Sequence, residues 1–237
     1  MEVGGCGTGP LRGGRSNDML RDIYEPAGDT RVSRPTMVVI RGGGFRSGNR
    51  KKNADEARSY ARGGYVAVAI EYRTCPGEFE SDEAQFETAA NAIDDGIEAI
   101  RFLHANAATY GIDTTRIGAV GTSAGGFIAL GAALIDDQTP GGPLEAYPYQ
   151  PAAVMTTGAN LTAALESPGF RASIPPVMMF RSEFDTVAGP EDESYEWPYS
   201  YRTCREIQAK DATCDFFRLD GPGHVSGIGA AGAYAKW

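Results

Sequence analysis

The sequence is poor in histidine: only His104 and His224 occur in 237 residues. It has four cysteines, Cys6, Cys75, Cys204 and Cys214, none of them in a CxxC pair, so nothing carries the ligand spacing of a zinc site. No metal and no organic cofactor is expected. Chemistry that needs an imidazole has two positions to choose from. Long hydrophobic runs are missing as well, which excludes a bilayer-spanning segment, and residues 1–14 are Gly-rich without the apolar stretch of a secretion signal. Such a signal is expected to be absent or already removed. Basic residues are outnumbered, 22 Lys and Arg against 31 Asp and Glu. The net charge of -9 repels phosphate backbones and anionic membranes, so neither nucleic acid nor a membrane is expected as a partner. Internal repeats and Pro/Gly/Ser-rich linkers are lacking too, and the length suits one domain over residues 1–237.

What remains is an ordinary globular composition, 42% hydrophobic and 22% charged. Short Val/Ile-rich runs alternate with longer helical patterns, the sign of a mostly parallel sheet between layers of helices. The runs predict strands at 36–41, 65–72, 116–121, 152–157, 176–181 and 214–219, with an early antiparallel strand at 20–24. Helices are expected at 53–62, 83–106, 123–135, 200–209 and 228–236. In the second of these, Phe86, Ala90, Ile93, Ile97, Ile100 and His104 follow the spacing of one buried face, which gives His104 a structural role.

The cysteines leave two readings open. Cys204 and Cys214 are near enough to close a short loop, and a bridge from Cys6 to Cys75 would then tie the N-terminal segment to the body, as in an exported protein. Four reduced thiols packed as small hydrophobes in a cytoplasmic protein are the alternative.

The chemistry lies in three short stretches. Gly121-Thr122-Ser123-Ala124-Gly125 matches G-x-S-x-G between a strand and a helix. There a serine on a sharp, strained turn projects above the sheet, and flanking glycines let strand and helix meet. Gly42-Gly43-Gly44-Phe45 follows the first long strand, and side-chain-free residues there leave amide N–H groups open to a developing negative charge. Taken alone, three glycines would read as a hinge. His224 sits in a Gly221-Pro222-Gly223-His224 turn after the last strand, the better base of the two histidines. Asp185 follows the strand at 176–181 and is the candidate acid, with Glu183 as competitor and Asp220 too near His224 in sequence.

On these residues the chain resembles the bacterial α/β-hydrolase carboxylesterases, whose oxyanion loop reads HGGGF and whose elbow reads G-[TS]-S-A-G-G. The resemblance runs from about residue 22 to His224. It implies an α/β-hydrolase fold and a Ser123–His224–Asp185 triad; between the core elements the sequence offers only loops such as 139–151, 158–174 and 188–198, so no large cap is expected. It further implies an oxyanion hole from the amides of Gly43, Gly44 and Ala124, with Phe45 on the acyl side. Two departures stand out: Arg41 occupies the place of the loop histidine, and Arg181 that of the histidine in the family's H-G-x-x-D-x-V stretch. The histidine before the glycines steadies the loop, and an arginine is able to donate to the same carbonyls.

The expected substrate is a small-molecule or polymeric ester: short-chain, aryl, acetylated or feruloylated xylan, or a polyester. Tyr195, Trp197, Tyr199 and Tyr201 cluster after the acid, either as ring-stacking residues for substrate or as packing. A serine peptidase and a non-catalytic binding protein on the same fold are the competing classes. The first usually carries a recognition domain lacking here, and the second typically loses a triad member.

Overall fold

A computed structural model describes residues 20–137, 141–161, 171–182, 185, 187, 199–219 and 223–224. Seven strands form one sheet in the order β1-β3-β2-β4-β5-β6-β7. They are β1 Arg21–Tyr24, β2 Arg34–Ile40, β3 Val66–Ile70, β4 Ile112–Thr122, β5 Val154–Thr157, β6 Val177–Ser182 and β7 Cys214–Leu219. β1 runs antiparallel to β3, as its position predicted, and every other pairing is parallel. The helices are α1 Ala54–Arg62, α2 Asp82–Ala105, α3 Ala107–Tyr110, α4 Ala124–Leu134 and α5 Tyr199–Gln208. The expected helix at 228–236 lies outside the described residues. No described helix is long and apolar enough to cross a membrane.

Alternation along the central strands divides the core. Val38, Ile40, Val66, Val68, Ile70, Ile117 and Ala119 face one side, with α2 and α4. Val39, Ala67, Ala69 and Val120 face the other, with Ala57 of α1. The small alanines on that second face let α1 sit close to the sheet. On the first face the two helices interlock through glycines: a Cβ on Gly96 would come 2.6 Å from Ile128, and one on Gly131 would meet Ile93. Each isoleucine fills the notch left by the other helix's missing side chain.

This interlock corrects the expected face of α2. Phe86 is 57% exposed and Ala90 is exposed too, whereas Ala89, Ala92, Gly96, Ile100 and Leu103 lie at the centre of the covered arc. The helix turns its smallest residues to α4, which moves Phe86 and Ala90 to the arc's margin. His104 is half-buried on this helix, and burial holds its pKa below the ordinary histidine value.

Cys204 of α5 is bonded to Cys214 of β7, so the first expected bridge is present. Cys75 is also disulfide-bonded; its expected partner Cys6 lies outside the described residues.

One buried carboxyl plays no part in the site. Glu56 of α1 is 6% exposed, and burial pushes its pKa up to about 6 against the hydrogen bond from Asn53. Its folded pKa is raised, so its contribution to stability is complete below the ordinary value of 4.5 and is lost as pH rises through about 6. A rise of that size corresponds to about 2 kcal/mol. Glu56→Gln should therefore raise the urea midpoint at pH 8 and leave it nearly unchanged at pH 4. A pH-independent difference between the two proteins would contradict this account.

Candidate active site

The site is built where β2, β4 and β6 end. β4 stops at Thr122 and α4 begins at Ala124, leaving Ser123 as the single residue of the turn, with φ 54° and ψ −124°. That left-handed backbone is costly for a residue with a side chain and persists only where its surroundings impose it. Here the Ser123 N–H donates to the Thr157 carbonyl at 2.8 Å, and its carbonyl accepts from Phe127 N–H at 3.0 Å. The flanking glycines are sterically obligatory. A Cβ on Gly121 would overlap the Gly125 carbonyl, and one on Gly125 would overlap the carbonyls of Ile40 and Arg41. The start of α4 thus rests on the end of β2, where the glycine loop begins. Across that contact, a Cβ on Gly42 would lie 3.2 Å from the Ser123 Cβ.

Three residues distant in sequence meet at the hydroxyl. His224 Nε2 lies 2.8 Å from Ser123 Oγ, and His224 Nδ1 lies 2.8 Å from Asp185 Oδ1. An ionised carboxylate only accepts, so Nδ1 carries the proton and Nε2 is left to accept from the serine. Asp185 is 2% exposed and held from several sides. Its N–H donates to the Ser182 carbonyl at 3.2 Å, its Oδ1 accepts from Val187 N–H at 3.0 Å, and its carbonyl accepts from Arg181 Nη2 at 2.6 Å. Arg181 therefore fastens the turn that presents Asp185. An imidazole fixed between a carboxylate and a hydroxyl is able to take the hydroxyl's proton.

The glycine loop folds back on itself: Gly43 carbonyl accepts from Arg46 N–H at 3.0 Å and Ser47 N–H at 3.1 Å, with Gly44 and Phe45 both at φ 60°. Among the described residues the amides of Gly43, Gly44 and Ala124 donate to no backbone carbonyl. Phe45, expected on the acyl side, is 9% exposed and packs edge-on against Tyr72 and Phe127 at 6.3 and 5.7 Å between centroids. Arg41, only 1% exposed, donates from Nη1 to the carbonyls of Gly42 and Ser47 at 3.3 and 2.8 Å. It does what the sequence expected of it. Its other nitrogens reach Glu71, Nε at 3.2 Å and Nη2 at 2.7 Å, a partner that motif reasoning did not find.

Of the aromatic cluster, Tyr201 stacks edge-on against Phe216 at 5.4 Å and is a packing residue. Tyr195 and Trp197 lie outside the described residues, as do Glu183, Asp220 and the side chain of Tyr199. No group of His, Cys, Asp or Glu among the described residues is arranged to hold a metal ion.

Comparison with known proteins agrees with this architecture. The carboxylesterase NlhH of Mycobacterium tuberculosis is 33% identical over 111 residues, a stretch that is 46% of this chain and 32% of that protein. The chain thus matches about a third of the length of its curated relatives. Among solved structures, esterase 2 of the planctomycete Thermogutta terrifontis with propionate bound superposes with a TM-score of 0.72 at 23% identity, covering 92% of this chain and 85% of that one. The same esterase phosphorylated by paraoxon gives a TM-score of 0.73 at 24% identity over the same shares. These likenesses establish the α/β-hydrolase fold. The family model of BD-FAE matches residues 21–155, from β1 through the glycine loop and the serine turn into β5. With more than half of its length matched, the chain belongs to the BD-FAE family.

Proposed function

We propose that the chain is a carboxylic ester hydrolase working on one domain through an acyl-enzyme at Ser123. The reading is carried by the paired 2.8 Å contacts of the His224 ring, one to a hydroxyl on a strained turn and one to a buried carboxylate. Ser123 Oγ attacks the ester carbonyl while its proton passes to His224 Nε2. The carbonyl oxygen, now negative, is received by the amides of Gly43, Gly44 and Ala124. Collapse expels the alcohol, which takes the proton from His224. Water then adds by the same route and releases the acid. Asp185 holds the tautomer and balances the imidazolium charge.

Short acyl groups are favoured as substrates, because the Thermogutta esterase has been solved with propionate and with butyrate bound. Acetyl or feruloyl esters of xylan and synthetic polyesters are the polymeric counterparts. Tyr195 and Trp197 remain candidates for substrate contact, with Phe45 at the acyl side. Export to an oxidising compartment accords with the disulfide-bonded Cys75, Cys204 and Cys214.

Two measurements bear on this reading. A fluorophosphonate should label Ser123 alone, located by peptide mapping, and p-nitrophenyl acetate should be hydrolysed while peptide anilides are not. Labelling elsewhere, or cleavage of anilides instead, would overturn it.

A further inference from the structure

Arg41 is a fully buried cation that the proposed proton transfers do not use, and its surroundings are specific. Ile40 of β2 and Ile70 of β3 are register partners in a parallel pair, so the next residues, Arg41 and Glu71, leave the sheet side by side. The Glu71 carboxylate takes Nε and Nη2, and the Tyr72 ring lies 3.9 Å from the guanidinium carbon. The remaining nitrogen, Nη1, points into the glycine loop. A Cβ on Gly43 or Gly48 would come 3.2 or 3.0 Å from it, so the loop wraps around this one atom. The strip after β3 supports the loop again further on: Cys75 N–H donates to the Phe45 carbonyl at 2.8 Å. That strip is itself pinned to α2, because Arg73 donates to buried Asp95 from its amide at 2.7 Å and from Nε at 2.9 Å.

We propose that Arg41, oriented by Glu71 and Tyr72, is a positioning residue that sets the oxyanion loop against Ser123. The inference rests on the ester-hydrolase reading and deepens it. A fork is required because one side of the guanidinium is spent on the carboxylate while the other reaches two carbonyls, and an ammonium has no such geometry. The amides of Gly43 and Gly44 act only if they sit at hydrogen-bond distance from an oxygen that exists in the transition state. A displacement of the loop by an ångström costs about 100-fold in rate.

The test compares wild type with Arg41→Lys and with Glu71→Ala, the latter at a partly exposed position, each normalised to the concentration of Ser123 titrated to completion by a fluorophosphonate. In both variants kcat on p-nitrophenyl acetate should fall about 10- to 100-fold. Affinity for a trifluoromethyl ketone, whose adduct carries the oxyanion, should fall in parallel, while inhibition by acetate stays within about twofold. If either variant folds and keeps both kcat and ketone affinity within about twofold of wild type, the inference is wrong. Loss of kcat with full ketone affinity would also overturn it, since the anion cradle would then be intact. If wild type neither hydrolyses the ester nor takes the fluorophosphonate at Ser123, the hydrolase reading falls, and this inference with it.

Discussion

Ser123→Ala should lower ester turnover by about 10^5-fold or more while leaving the urea midpoint close to that of wild type. The substitution removes one oxygen and nothing that holds the turn together: the backbone bonds to Thr157 and Phe127 belong to the main chain and survive. Relief of the strain of a side chain at φ 54° is not expected either, because alanine carries the same Cβ. Measured together, a dead but equally stable protein separates a reacting hydroxyl from a structural one. Residual activity within about 10-fold of wild type would assign the nucleophile elsewhere.

Gly125→Ala should be among the most damaging single methyl groups that could be added to the described residues. The new Cβ overlaps the carbonyls of Ile40 and Arg41, and backbone at the end of a central strand has nowhere to retreat. Relief requires lifting α4 from β2, which also separates Ser123 and the Ala124 amide from the glycine loop. Destabilisation of about 3 kcal/mol or more is expected, with activity reduced at least 100-fold in whatever fraction remains folded. Urea unfolding and p-nitrophenyl acetate assays on the same sample read both effects. A variant with the wild-type midpoint and rate would mean that α4 and β2 are not in contact as described.

Much of the candidate site's geometry is legible in the sequence. Ser123 was marked by its glycines and by the change from strand to helix pattern, His224 by the shortage of alternatives, and Asp185 by its place after the β6 run. Each signal is local in sequence or a matter of counting. What could not be read depends on which strands lie side by side. Arg41 and Glu71 are brought together by the parallel register of β2 and β3, and neither a motif nor a period encodes that register. The same limit explains α2: periodicity located the helix, but only the Gly96–Ile128 and Gly131–Ile93 notches determine which line of residues faces α4. β4 also begins earlier than its apolar run, at Ile112. The polar start is held locally, with Asp113 accepting from Thr115 and Arg116, and hydropathy does not register that kind of bond. Tyr201 likewise is one of several rings after Asp185 in sequence, and only the packing of β7 brings Phe216 against it.

Arginine at the ends of both β2 and β6 changes what mild acid does to the molecule. An imidazole brace alters its bonding as it gains a proton, whereas a guanidinium donates to its carbonyls throughout. The framework around the candidate site, Arg41 on Ser47 and Arg181 on Asp185, is thus held by donors that keep their protons in mild acid. Each brace is thus a permanent rivet in the floor of the site, drawing its hold from a charge that the surrounding solution does not switch off.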